Sequence, residues 1–87
     1  MSPLATVLVR YFAAARAAAR CDEEAIELAP GVTTEQVIDA IGARHGAEME
    51  RLLGRCSFLL DAVAVGARPR EIRPGSTLDV LPPFAGG

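Results

Sequence analysis

Apolar and polar positions along the chain fall into blocks with distinct periods. Residues 5–12 (A-T-V-L-V-R-Y-F) are rich in β-branched and aromatic types and predict a strand. Strand alternation puts Val7, Val9 and Tyr11 on one face, and Leu8, Arg10 and Phe12 on the other. Residues 13–20 have high helix propensity but almost no large apolar side chain, so an Ala-rich turn or loop is expected there. Residues 24–28 place Ile26 and Leu28 on one face and run into Pro30-Gly31, a turn signal that completes an N-terminal hairpin. Thr33-x-x-Gln36 is a capping box, and Val32 and Val37 flank it as a hydrophobic staple. From there Val37, Ile38, Ile41 and His45 recur at helical spacing, with Gly46 as a left-handed stop. A shorter amphipathic piece covers residues 48–53.

Residues 57–65 (S-F-L-L-D-A-V-A-V) predict one further strand. Gly66-Ala67-Arg68-Pro69 supplies a turn, Arg70-Glu71-Ile72 a short edge strand, and Pro74-Gly75 another turn. Residues 77–81 (T-L-D-V-L) form the last strand, with Leu78 and Val80 inward. The resulting order is β-β-α-β-β-β, an α+β fold with one main helix packed across a mixed sheet. The first and last strands, the most apolar, should lie at its centre. Residues 1–81 read as the folded domain and 82–87 as an extended tail.

Composition narrows the function. In 87 residues, 51% are hydrophobic, enough for one core without metal or disulfide support. A net charge of -2 and a pI near 5.3 argue against nucleic-acid binding, which needs a basic face to displace counterions. All nine basic residues are Arg. Cys21 and Cys56 are too few for a disulfide framework and lack companions at zinc spacing, so they read as free thiols and no metal site is expected. The apolar stretch near the start precedes the first Arg, the reverse of a signal peptide, and no uncharged run approaches the ~20 residues of a membrane span. A cytoplasmic protein without membrane contact is the expectation.

The usual catalytic sets are missing from the sequence. Its one histidine, His45, reads as a helix-end or half-buried residue, and no Ser-His-Asp set can be assembled around it. Glu23, Glu24 and Glu27 read as a solvated face. No phosphate-binding glycine loop is present. The C-terminus is the exception: Leu81-Pro82-Pro83-Phe84-Ala85-Gly86-Gly87. Pro82 and Pro83 have no N–H to continue a sheet, and they hold the backbone extended. Phe84 follows on the projecting arm. Gly86 and Gly87 carry no side chain, so they can thread a narrow channel. The terminal carboxylate, with an intrinsic pKa of ~3.3–3.7, is ionised at neutral pH. It is a poor electrophile until activated as an acyl-adenylate, when it can accept a sulfur nucleophile. A frayed terminus with accidental glycines is the competing reading.

Two segments carry a family resemblance. Arg10-Tyr11-Phe12-Ala13-Ala14-Ala15-Arg16 is similar to an R-Y-F-A-x-x-R segment, and Val80-Leu81-Pro82-Pro83-Phe84-Ala85-Gly86-Gly87 to a hydrophobic-P-P-V-x-G-G ending. Both are features of the small, MoaD-type subunits of molybdopterin synthases, which are ubiquitin-like β-grasp sulfur carriers. The resemblance runs from Val7 to Gly87. It implies a β-grasp fold and a cycle at Gly87: adenylation by a MoeB-type enzyme that uses ATP, then exchange of one carboxylate oxygen for sulfur by a sulfurtransferase. The thiocarboxylate then donates sulfur to cyclic pyranopterin monophosphate in the MoaE-type large subunit, during molybdenum cofactor biosynthesis. It further implies that this chain binds no cofactor itself and joins the large subunit in a heterotetramer. Gly87 would carry the sulfur and Gly86 give access. Leu81, Pro82, Pro83 and Phe84 would dock the tail, while Phe12 and Arg16 match positions near the partner surface. Phe84 stands where the family more often has Val, and the turn near Gly66 lacks the family's Asn-Gly-like pair. Two alternatives share the Gly-Gly end: a carrier for thiamine thiazole or cysteine synthesis, and a ubiquitin-like protein modifier.

Overall fold

The computed structural model describes residues 4–66, 68 and 70–83. Its elements are β1 (Ala5–Tyr11), α1 (Ala13–Ala19), β2 (Glu23–Leu28), α2 (Thr34–His45), α3 (Ala47–Leu53), β3 (Ser57–Leu60), β4 (Val63–Ala64) and β5 (Thr77–Leu81). The strands form one five-stranded sheet in the order β2-β1-β5-β3-β4. The first and last strands therefore lie inside the sheet, as their apolar content predicts. β1 and β5 are parallel, with Val9 opposite Leu78 and Arg10 opposite Asp79. β1–β2 and β3–β5 are antiparallel.

The sheet is amphipathic for a simple reason. Ala5, Val7, Val9 and Tyr11 are buried, while Thr6 and Arg10 between them are exposed and Leu8 is half-buried. The inward set meets Leu78, Val80, Leu60 and Ile26 from the other strands, and Val37, Ile41, Met49 and Leu53 from the helices, in one core. Burial of such a cluster is the dominant driving force for a domain this small.

α2 is the helix read from the sequence, and its start is built as the residues predict. The Thr33 hydroxyl accepts from the Gln36 N–H, and the Thr33 N–H donates to Gln36 Oε1 at 2.8 Å. The stop at Gly46 is a different device from the one expected. Its φ of 99° and ψ of -173° fall in an extended region open only to glycine, and its N–H closes the helix on Gly42 O at 2.8 Å. The piece at 48–53 is α3, starting one residue earlier. It packs closely on α2, since a Cβ at Gly42 would meet Glu50 Cγ at 2.7 Å.

Three expectations fail. Residues 13–20 are not a loop: Ala13–Ala19 is helical, because small side chains are an advantage where Ala15 and Ala19 sit buried against the core. Alanine lets the helix backbone lie close to its neighbours, so no large apolar stripe is needed. Residues 57–65 are not one strand but a hairpin, β3 and β4, reversing at Asp61-Ala62, where φ is 49° and 68°. Positive φ at both turn residues is the geometry of tight two-residue hairpins, which usually announce themselves with glycine. Here Asp61 holds the turn by its outside bonds: its Oδ1 accepts from Thr77 N–H at 2.9 Å, and its own N–H donates to Thr77 O at 2.8 Å. Finally, 70–72 is not an edge strand. It makes a single bridge, Thr33 to Glu71, and seats buried Ile72 through its N–H to Val32 O, at 2.8 Å.

Candidate functional site

The root of the C-terminal arm is placed by the sheet. Because β5 runs parallel to β1 between β1 and β3, the C-terminal ends of β1 and β5 emerge together. The last ladder pair is Ser57 with Leu81. Pro82 and Pro83 follow and cannot donate to a further pair, so the arm leaves the sheet from its interior. Leu81 and Pro82 are half-buried and Pro83 is exposed. Of the expected site residues, Phe84, Gly86 and Gly87 lie outside the described residues.

Phe12 borders this exit. Its N–H donates to Val80 O at 3.2 Å, so its backbone extends the β1–β5 pairing by one residue. Its side chain is 37% exposed, one of few large apolar groups open to solvent among the described residues. Arg16 lies one turn along α1, with Nη1 3.7 Å from Asp22 Oδ1; both side chains are well exposed, so the pair contributes little stability. The structure thus brings Phe12, Leu81, Pro82 and Pro83 to one end of the sheet, and Arg16 to the helix that begins beside Phe12.

Two polar clusters went unread in the sequence. On the outward face, the Arg10 guanidinium donates to both oxygens of Asp79, Nε to Oδ1 at 2.6 Å and Nη2 to Oδ2 at 2.8 Å. Asp79 is only 6% exposed, although it points away from the main core, because it stands on a central strand between Arg10 and Leu59. The same guanidinium lies 5.8 Å from the centroid of the Phe12 ring. The hydrogen bonds and charge of Asp79 push the Arg10 group above its already high value, so it is a cation throughout. Opposite charges at outward positions of two interior strands were the available signal for this pair.

On the helix side, Glu24 is not part of a solvated face. Its Oε2 accepts from Tyr11 Oη at 2.6 Å and lies 2.5 Å from His45 Nε2, while Oε1 faces Arg44 Nε at 3.2 Å. Tyr11 and His45 also meet edge to face, with ring centroids 5.7 Å apart. Burial would push the Glu24 carboxyl up. The hydrogen bonds from Tyr11 and His45, with the charges of His45 and Arg44, outweigh it and hold the group below its ordinary range. Burial, then the hydrogen bond to Glu24 and its charge, push the Tyr11 phenol far up, so it stays a donor. The cluster ties β1, β2 and α2 together. His45 is half-buried at a helix end, as expected, but it has a specific partner.

Neither thiol is activated. Burial raises Cys21, with Glu24 and Asp22 adding to it; burial raises Cys56 against the charge of Arg55. A raised thiol is mostly protonated at neutral pH and a weak nucleophile. Among the described residues no helix is long and apolar enough to cross a membrane.

A mixed five-stranded sheet with helices packed into one core and the last strand at its centre defines a ubiquitin-like β-grasp protein. The ThiS family model matches residues 9–87, and the chain belongs to that family. It is 32% identical over 82 residues to the molybdopterin synthase sulfur carrier subunit of Chlamydomonas reinhardtii, covering 93% of this chain and 98% of that one. In structure it resembles a putative molybdopterin converting factor, subunit 1, from Pyrococcus furiosus, with a TM-score of 0.77 and 27% identity over 92% of this chain and 99% of that one. The fold is also that of SAMP1 from Haloferax volcanii, with a TM-score of 0.82 and 20% identity over 94% of this chain and 99% of that one.

Proposed function

We propose that this chain is the sulfur carrier subunit of a molybdopterin synthase, acting through Gly87. The observation that carries the reading is the root of the arm: an interior strand ending at Leu81, followed by two prolines and bordered by exposed Phe12. A carrier tail must reach into another protein's active site while its base stays fixed, and an arm leaving the middle of a sheet meets that need. The kinship with a sulfur carrier subunit supports the cargo.

The chemistry takes place at the terminal carboxylate. An adenylating partner joins it to the α-phosphate of ATP with release of pyrophosphate, turning a poor electrophile into an acyl-adenylate. The terminal sulfur of a sulfurtransferase persulfide adds to the carbonyl and expels AMP, and a thiol then reduces the resulting acyl disulfide, leaving a thiocarboxylate and a disulfide. In the large subunit this sulfur passes to cyclic pyranopterin monophosphate, and water restores the carboxylate. ATP belongs to the activating partner, and this chain supplies no cofactor. Gly86 keeps the approach to Gly87 narrow. Leu81, Pro82, Pro83 and Phe84 occupy the partner's groove, with Phe12 and Arg16 on the surrounding contact surface. The assembly is a heterotetramer of two carriers on a dimer of large subunits.

Co-expression with adenylating enzymes, followed by intact-mass measurement, tests the carrier step. An oxygen-to-sulfur mass shift that vanishes on deletion of Gly87 is expected; unmodified protein with every activating enzyme would refute it. Offering the thiolated chain to a synthase large subunit then tests the acceptor, with conversion of the pterin precursor as the expected result. The fold shared with an archaeal modifier protein favours one second reading, attachment through Gly87 to lysines of other proteins. It predicts higher-mass conjugates in cells that disappear with the same deletion.

A further inference from the structure

Arg10 touches both the strand feeding the arm and the aromatic group beside its exit. Its fork holds Asp79, two residues before Leu81 on β5, through two short parallel hydrogen bonds. Its guanidinium also lies over the Phe12 ring, 5.8 Å from the centroid. A bidentate pair fixes a guanidinium in orientation as well as position. Phe12, by contrast, is the last residue before α1, and its side chain is 37% exposed. An exposed aromatic ring usually samples several rotamers, and ordering it on binding costs affinity.

We propose that Arg10 is a positioning residue: anchored on Asp79, it holds the Phe12 ring in the orientation that the carrier presents to the large synthase subunit. The proposal rests on the sulfur-carrier reading and adds a residue to it. Arg10 acts through Phe12. The partner meets a ring that already has a cation 5.8 Å from its centroid, on a face whose register with β5 is set by β1–β5 pairing. Arg is suited to this and Lys is not, because a single ammonium cannot grip both carboxylate oxygens and still present a flat face to a ring.

Removing Arg10 alone would strand the buried Asp79 carboxylate and destabilise the fold, so the test replaces both. Arg10→Met with Asp79→Leu substitutes an apolar pair of similar bulk, a change that is often neutral or stabilising. In this double variant of the free protein, side-chain couplings of Phe12 measured by NMR should change from one dominant rotamer to an average. The melting temperature should stay near that of the wild type. Unchanged couplings would overturn the proposal, and this arm needs no partner. Binding of each form to a purified large subunit is the second arm. The double variant should bind roughly tenfold more weakly, an effect of the size seen for interface anchors. In a Phe12→Ala background the same two substitutions should cost nothing more, because residues acting through one group are not additive. Full affinity in the double variant, or an additive loss in the Phe12→Ala background, would overturn it. Failure of the wild-type chain to bind any large subunit would instead count against the sulfur-carrier reading, leaving the rotamer result to decide the role of Arg10.

Discussion

Arg10 and Tyr11 are neighbours in sequence, yet strand alternation sends them to opposite faces, where each anchors a polar cluster of different character. Tyr11 points inward to Glu24, His45 and Arg44, in a network that joins two strands to a helix across the core rim. Arg10 points outward to Asp79 and borders the arm with Phe12 beside it. The inward network is mostly screened from water, so its loss should be felt as instability. The outward pair is half open to solvent on the Arg side. A short strand thus separates an inward network from an outward pair by side-chain parity alone.

The sharpest test of that separation is Glu24→Ala. It strips the partner from Tyr11 and His45 at once and should cost about 2–3 kcal/mol in urea denaturation, as for other broken buried polar contacts. The folded fraction should still bind a large subunit normally; a loss of affinity in step with stability would erase the distinction. The reciprocal change, Phe12→Ala, should weaken that binding by about 2 kcal/mol if the ring is an anchor. Its unfolding free energy should move by no more than ~0.5 kcal/mol, as for other surface changes.

Acid provides a graded version of the first test. The carboxyl of Glu24 is held below its ordinary value of 4.5 in the folded state, so its contribution to stability is complete above that value. It is lost as pH falls through the lower, folded value, because the unfolded chain takes up the proton first. The melting-temperature gap between the wild type and Glu24→Gln should therefore be widest near neutrality and narrow on acidification below about pH 4, near the unperturbed carboxyl range. A gap that does not change with pH would mean that the charge on Glu24 contributes nothing. The smallest expected effect lies away from both clusters. Ala62→Gly relieves a non-glycine residue at φ 68° and should stabilise the hairpin by about 0.5–1 kcal/mol, since the left-handed region disfavours a Cβ. Binding should be untouched.

The sequence shows why some of this was legible and some was not. The central strands, the capped helix and the end of the last strand each rest on local chemistry: alternation in 5–12, a capping box at Thr33 and Gln36, and prolines that end pairing after Leu81. Those signals survive folding unchanged. The Ala-rich segment failed because its stability comes from fitting closely against a core that local inspection cannot see. The Asp61-Ala62 reversal failed because the tether to Thr77, 16 positions away, stands in for the glycine that normally marks such a turn. The clusters of Glu24 and Asp79 failed for a related reason. Each carboxylate looks solvated until the strand order places it beside an arginine or a histidine distant in sequence.

The position of β5 has one more consequence, for how the chain is made. Residues 77–81 are synthesised late, yet they fill the slot between β1 and β3 and supply Leu78 and Val80 to the centre of the core. Pairing across so long a stretch of chain comes late in folding and slows it. Until those residues have left the ribosome, the sheet has a gap and β1 and β3 have exposed edges, which invites proteolysis or aggregation. A nascent chain cut short before this strand cannot hide its core. A molecule that passes cellular quality control has therefore already set β5, the strand that leads into Pro82 and Pro83, in the middle of its sheet.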